Sequence, residues 1–249
     1  MVIIKTPQQI ELMAGAGKIL AACHRELRGI IRPGITTKQI DEFVDDFIQS
    51  QGAKAEQKGY QGYPFATCAS VNDEICHGFP TFTPLREGDI VTIDMVINLN
   101  GWLADSAWSY PVGQISQQAE KLLKVTKECL YIGIEKAVIG NRLGDISHAV
   151  QAHAESNRFS VVRDFTGHGI GHSMHEDPQV LHFGFPHKGL RLSEGMVFTI
   201  EPMINIGSYH LTIDQNGWTA RTVDGSLSAQ YEHTIAITKD GPLVLTEQD

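Results

Sequence analysis

Two aspartates, Asp94 and Asp105, stand in an otherwise apolar, β-branched stretch, REGDIVTIDMVINLNGWLADSAW at 86–108. Ile90 to Ile93 lead into Asp94, Met95 to Ile97 continue the run, and Asn98-Leu99-Asn100-Gly101 supply a turn, so the stretch predicts a β-hairpin. A turn centred on Leu99-Asn100 pairs Asp94 with Asp105; one centred on Asn100-Gly101 pairs Asp94 with Ala107. In both registers the two carboxylates share a face, because side chains alternate with period two. Like charges across a ladder repel, and a carboxylate in an apolar strand costs several kcal/mol unless it is compensated. A bound cation would remove both penalties. The plainer alternative is that Asp94 ends its strand and Asp105 sits in solvent.

An echo further along favours the cation. EGDIVTID at 87–94 is repeated as EGMVFTIE at 194–201, and Gly78-Phe79-Pro80 is matched by Gly184-Phe185-Pro186. The same spacing lays Ile40, Phe43, Val44 and Phe47 on Ile146, Ala149, Val150 and His153. The chain therefore reads as one domain over 1–249 built from two related halves, approximately 1–110 and 111–249, each ending an equivalent strand in an acid, Asp94 or Glu201. Glu232, in SAQYEHTIAIT, starts another apolar, alternating run; alone, it could equally be an exposed strand end.

His168, His172 and His175 have the spacing of metal ligands, but Gly167, Gly169 and Gly171 argue against the helix that would align them. HExxH is absent, since Asp177-Pro178-Gln179 follow His175-Glu176. GHGIGH is not a dinucleotide loop, and no GxSxG nucleophile elbow occurs.

The elements that must position these groups are readable from caps and periodicity. Thr6-Pro7-Gln8-Gln9 is a capping box with proline at the first helical position, ahead of the stripe Ile10, Met13, Ala14, Leu20, Leu27 and Ile31. Thr36 with Gln39 repeats the signal before a second helix ending near Gly52. Residues 54–84 read as irregular. A long helix is expected from Gln117 to Ala137 and a shorter one from about Ile146 to Ser156 with Asp145 as N-cap, then strands ending at Glu201, around Trp218-Thr219, and through Glu232 to Ile237. Helices backing a curved antiparallel sheet make the class α+β.

Composition bounds the rest. The 249 residues suffice for one large core, and no linker divides them. A net charge of −9 without a basic run argues against nucleic acid as a partner. No stretch approaches the roughly 18 apolar residues of a membrane span, and MVIIKTPQQIELM lacks a signal-peptide pattern, so a cytoplasmic protein is expected. Cys23, Cys68, Cys76 and Cys129 show no CxxC spacing, which points to reduced thiols rather than a zinc knuckle.

Asp94, Asp105, His168, Glu201 and Glu232 together resemble the five metal ligands of the pita-bread metallopeptidases. CHGFP, the paired aspartates, GHGIGHSMHEDPQ, FTIEPMIN and SAQYEHT are similar in detail and in order to the type I methionine aminopeptidases, over nearly the whole chain. The resemblance implies a pseudo-symmetric pita-bread fold with two divalent metal ions, Asp94 holding one, His168 and Glu201 the other, and Asp105 and Glu232 bridging. Four carboxylates and one imidazole suit Mn, Fe(II), Co or Zn. It implies that a water activated there attacks the first peptide carbonyl while Glu201 moves the proton, His175 stabilises the oxyanion and His77 orients the peptide. It places the methionine side chain among Tyr60, Tyr63, Cys68 and Trp218, a set that periodicity alone reads equally as ordinary core. Two departures stand out: Met174 where a phenylalanine is common, and Ala104-Asp105-Ser106 where the family has Gly-Asp-Thr. The expected partners are N-terminal methionyl peptides and nascent chains with a small second residue, acted on by a monomer. An Xaa-Pro peptidase of the same fold is the competing enzyme, disfavoured because only helical material precedes Asp94 and because the pocket suits methionine. A non-catalytic binding relative is disfavoured because all five ligand positions are filled.

Overall fold

The computed structural model describes residues 1–248, and both threonine–glutamine pairs start helices in it. Thr6 Oγ1 accepts the Gln9 N–H at 3.3 Å while Gln9 Oε1 accepts the Thr6 N–H at 2.8 Å, opening α1 (Pro7–Ile30). Thr36 and Gln39 open α2 (Thr37–Ser50) in the same way. Each box satisfies two amides that the first helical turn leaves unpaired. α1 buries Met13, Ala16, Leu20, Cys23 and Leu27, and α2 buries Ile40, Val44 and Ile48.

The segment expected to be irregular holds three short strands, β1 (Lys54–Ala55), β2 (Cys68–Val71) and β3 (Glu74–Cys76), with a single 3-10 turn at Tyr60–Gly62. β2 left no period-two signal because Cys68, Ala69 and Ser70 are all buried, on both faces of the strand. The hairpin follows as β4 (Ile90–Leu99) and β5 (Trp102–Pro111). Its turn is centred on Asn100 and Gly101, with φ of 54° and 88°, the two-residue form whose twist matches the strands. Asp94 therefore pairs with Ala107, and Asp105 with Val96.

α3 (Gln117–Lys136) and α4 (Leu143–Ser156) come next. α4 starts earlier than its apolar stripe suggests, so Asp145 is not the N-cap. It lies inside the first turn and reaches back to accept the Arg142 N–H at 2.8 Å, which serves the same unpaired amides. The remaining strands are β6 (Ser160–Val161), β7 (Gly167–Gly169), β8 (Glu176–Val180), β9 (Val197–Ile200), β10 (Met203–Asn205), β11 (Leu211–Ile213), β12 (Ala220–Thr222), β13 (Ser228–Gln230), β14 (His233–Thr238) and β15 (Gly241–Val244). Trp218 and Thr219 precede β12 rather than lying in it, because both amides donate to Asn216 Oδ1 and form a turn.

Among the described residues the strand pairs are antiparallel and fall into four sheets: β1-β4-β2 with β5 on β4, β15-β14-β9-β7-β8, β13-β10-β6, and β11-β12-β3. Helices over antiparallel sheets make the protein α+β. One continuous core draws on all four helices and the inner sheet faces, with Leu20, Ile40, Ile93, Leu130, Val150, Phe198 and Ile235 among its members. What positions the site is the seam between β5 and residues 228–234. Ser109 Oγ donates to Gln230 O at 2.8 Å, the Glu232 N–H to Ala107 O at 2.8 Å, Ser106 Oγ to Glu232 O at 3.0 Å, and Thr234 Oγ1 to Asp105 O at 2.8 Å. Among the described residues no helix is long and apolar enough to cross a membrane.

Candidate metal centre and binding pocket

On one face of the hairpin, Asp94 and Asp105 are diagonal neighbours, since Asp105 faces Val96, two residues along from Asp94. The seam brings Glu232 against them. β7 and β9 add the other two groups: Thr199 Oγ1 accepts the His168 N–H at 3.0 Å and donates to Glu201 Oε1 at 2.8 Å, so one hydroxyl sets both side chains. His168 Nε2 then lies 3.6 Å from Asp105 Oδ2 and 3.7 Å from Glu201 Oε1, while its Nδ1 donates to Gly169 O at 3.0 Å. That bond holds a proton on Nδ1 and leaves Nε2, facing the two carboxylates, as the atom that would meet a cation.

Crowding and burial dominate the electrostatics. Burial, then Asp105 and Glu201, raises the Asp94 carboxyl well above its usual range. Burial, then Asp105, Glu201 and Asp94, does the same to Glu232. Burial lifts Glu201 from 4.5 to about 7, with His168 opposing and Asp105 adding. Burial alone would lower His168, but the Asp105 and Glu201 carboxylates lift it to about 9. Acids in such a cluster resist being ionised together, and a cation among them reverses the penalty.

The residues fit divalent ions. Asp105 Oδ1 and Glu232 Oε1 are buried without a hydrogen-bond partner among the described residues, an expensive state for carboxylate oxygens unless something else binds them. Donor atoms of Asp105, His168 and Glu232 lie within 4.8 Å of one another, and Asp94 and Glu201 flank them on the same cavity. An oxygen-rich set with one nitrogen suits intermediate first-row ions.

The cavity, of about 260 Å³, is lined by all five of these groups and also by Tyr60, Tyr63, Cys68, His77, Met174, His175 and Trp218, so each predicted site residue opens onto it. Tyr63 contributes only its ring, because its hydroxyl donates to Thr67 O and Gly78 O, both at 3.0 Å. Trp218 meets that ring edge-on with centroids 5.0 Å apart, and His77 packs edge-on against Phe165 at 5.2 Å. Burial, then His175, lowers His77 to about 4. His175 is also lowered, by burial and then by His168, whose ring centre is 4.3 Å away. His172 is not among the cavity residues: its Nδ1 bonds Gly101 O at 2.6 Å and its ring lies 3.7 Å from Trp102.

Several participants are absent from the sequence reading. Gln57 also lines the cavity, its Oε1 accepting the Val96 N–H at 2.6 Å and its amide reaching Cys68 Sγ at 3.5 Å. Phe165 and Met203 add apolar wall. Behind Glu201, His182 Nε2 accepts its N–H at 3.0 Å, and Gln230 Nε2 lies 3.4 Å from its Oε2. Only Thr199 had a signal, the alternation of FTIE, which puts it on the same face as Glu201.

Comparison with known proteins agrees. Residues 11–239 match the model of metallopeptidase family M24. Methionine aminopeptidase 1 of Bacillus subtilis is 50% identical over 246 residues, 99% of each chain, and methionine aminopeptidase of Clostridium perfringens is likewise 50% identical over 246 residues. The crystal structure of methionine aminopeptidase from Rickettsia prowazekii superposes with a TM-score of 0.98 at 42% identity, covering 99% of this chain and 100% of the other. The fold is thus the pita-bread fold of those enzymes. A family model over most of the chain, relatives at half identity along its full length and a cavity built to hold cations lead to one conclusion: the chain belongs to metallopeptidase family M24, with the methionine aminopeptidases.

Proposed function

We propose that the protein removes the N-terminal methionine from peptides and nascent chains whose second residue is small, in the cytoplasm and as a monomer. The observation that carries this reading is the pair of orphaned carboxylate oxygens of Asp105 and Glu232 beside a ring- and sulfur-lined pocket. We read the chain as one catalytic domain of two related halves, 1–110 and 111–249. The recurring order of two helices, short strands and then a strand that carries or leads into an acid, Asp94 within β4 and Glu201 directly after β9, supports it.

Asp94, Asp105, His168, Glu201 and Glu232 would hold two divalent ions, Asp94 serving one, His168 and Glu201 the other and Asp105 and Glu232 both, with Mn, Fe(II), Co and Zn all compatible. When bound, such ions polarise the scissile carbonyl and make a water nucleophilic near neutral pH. The remaining work belongs to side chains. Glu201 can take a proton and return it to the departing amine, and Thr199 Oγ1, donating to its Oε1, fixes how the carboxylate faces the cavity. Tyr60 O–H lies 3.0 Å from His175 Nδ1; donating there, it places the ring proton on Nε2, from which His175 can stabilise the oxyanion. His77, edge-on to Phe165 and Trp218, orients the peptide. The pocket of Tyr60, Tyr63, Cys68, Met174 and Trp218 takes the unbranched methionine side chain. Apolar pockets separate homologues by only ~1–3 kcal/mol per methylene, so norleucine is partly accepted.

The test is methionine release from Met-Ala-Ser, Met-Lys-Ser and an Xaa-Pro peptide, with purified protein titrated with each metal. Release from Met-Ala-Ser, dependent on metal and lost in Glu201→Gln, is the expected result. Release from the Xaa-Pro peptide instead would overturn the substrate assignment.

A further inference from the structure

The mechanism leaves unused one buried ion pair next to the site. Glu176 follows His175 directly, yet it is not among the residues lining the cavity. Its carboxylate meets the ammonium of Lys5, with only 3% of the Lys5 side chain and 7% of the Glu176 side chain exposed. Lys5 is itself fixed, its N–H donating to Gly195 O at 2.8 Å and its Nζ to Ile3 O at 3.3 Å. The other carboxylate oxygen, Oε1, accepts the N–H groups of His172 at 3.1 Å and Ser173 at 3.4 Å. Glu176 thereby folds the 171–176 loop back on itself. The pair lies flush on Gly171, where a Cβ would come within 2.6 Å of Glu176 Oε1 and 2.7 Å of Lys5 Cε. On its other side the loop is tied by His172 to Gly101 O and Trp102. Between these two anchors sit Met174 and His175.

A buried ion pair adds little net stability over a well-packed apolar pair, since desolvation offsets most of the attraction. Geometry is what such a pair can supply: three donors, one of them charged, meeting one carboxylate allow few alternative loop conformations.

We propose that the Lys5–Glu176 pair is a positioning device that holds the His175 loop in its working geometry, so that the segment before α1 sets turnover at the cavity. The proposal rests on the reading of His175 as the oxyanion donor. Lys5 and Glu176 are positioning residues, acting only through His175.

The test compares metal-loaded, full-length wild type with Lys5→Met/Glu176→Gln, Lys5→Arg, His175→Ala, and the paired change in the His175→Ala background. The glutamine keeps an acceptor for the His172 and Ser173 amides, and Glu176→Gln alone gives the same readout if the paired chain does not accumulate. For Met-Ala-Ser, the paired variant should lose about 10–100-fold in kcat with KM within about twofold, as expected for a misplaced catalytic group. Bound metal should be unchanged, Lys5→Arg should recover most of the rate, and exchange of the His172 and Ser173 amides should speed up. In the His175→Ala background the paired change should alter kcat by less than about twofold, because the group being positioned is gone. Equal losses with and without His175, or a paired variant within twofold of wild type, would overturn the proposal and leave His175's role standing. A His175→Ala enzyme with undiminished kcat would overturn both.

Discussion

Asp94 and Asp105 ride on a single uninterrupted ladder of ten residue pairs, whereas His168, Glu201 and Glu232 come from strands that stop, bulge or have not yet begun where the donor sits. The register of β7 on β8 shifts immediately after His168, Glu201 lies one residue past β9, and Glu232 one residue before β14. On the hairpin, the spacing of the two acids follows from strand geometry. In the second half, His168 and Glu201 are aimed by a hydroxyl joint, Thr199, while Thr234 ties that half to the backbone of Asp105. A ladder tolerates local damage because many bonds share the register; a joint is a single atom. The two regions should therefore fail differently.

The largest effects are expected where the regions meet, at Asp105 and Glu232. Asp105→Asn or Glu232→Gln removes one of the acids assigned to bridge. Groups that merely orient ligands cost 10–100-fold when lost, so a donor itself should cost on the order of 10³ in kcat/KM. The same change should raise the stability of the metal-free protein by about 1 kcal/mol in urea melts, because it relieves repulsion among buried acids. If metal-free stability falls instead, the cluster is held by hydrogen bonds rather than poised for a cation.

The pH dependence of metal-free stability distinguishes the second-half donors next. Glu201 is raised from 4.5 to about 7 and His168 from 6.5 to about 9. Both bind protons more tightly folded than unfolded, so the native state holds more protons across those intervals and stability falls as pH rises through them. Buried His24, His77, His182 and His233, lowered to about 3–4, pull the other way below about pH 6.5, so the reading is the difference between wild type and Glu201→Gln: the wild-type urea midpoint should fall relative to the variant's as pH rises from about 4.5 to 7. A difference that stays constant over that range would refute the Glu201 shift.

What the sequence reveals follows the same division. Alternation and the Asn-Gly turn make the hairpin and the shared face of its acids legible, and the capping boxes at Thr6 and Thr36 fix two helix starts. His168 is the middle residue of a three-residue strand, and Glu201 and Glu232 lie just outside β9 and β14; the internal repeat points to Glu201 and an alternating run to Glu232, but only the family resemblance brings all three into one set. β2 is hidden because both its faces are buried, and Asp145 because an acid serves a helix end equally well from inside the first turn. Gln57 and the Lys5–Glu176 pair, the latter separated by 171 residues, belong to packing that no local pattern encodes.

A smaller effect is expected at the hydroxyl joint. Thr199→Val keeps the shape but leaves the His168 amide and Glu201 Oε1 without the bonds they share. Removing one partner strands the others, at about 1–3 kcal/mol of stability, and freeing the Glu201 carboxylate to rotate should lower kcat by about tenfold with KM little changed. An unchanged kcat would mean that bound metal, not Thr199, aims Glu201.

The smallest effect is expected at the hairpin turn, and it is the sharpest check on the contrast. Gly101 has a φ of 88°, where an L side chain is strained, and its added Cβ would meet nothing closer than His172 Nδ1 at 3.9 Å. Gly101→Ala should therefore cost only the backbone term, roughly 1–2 kcal/mol, which for a chain of this size lowers Tm by about 2–8 °C. The ladder from Ile90 to Leu99 lies upstream of the turn, and β5 is also held by its seam with residues 228–234, so the spacing of Asp94 and Asp105 should survive. kcat should stay within about twofold of wild type, well short of the loss in Thr199→Val. A tenfold loss in Gly101→Ala would show that the turn, not the ladder and its seam, sets the two acids, and the difference between the regions would disappear.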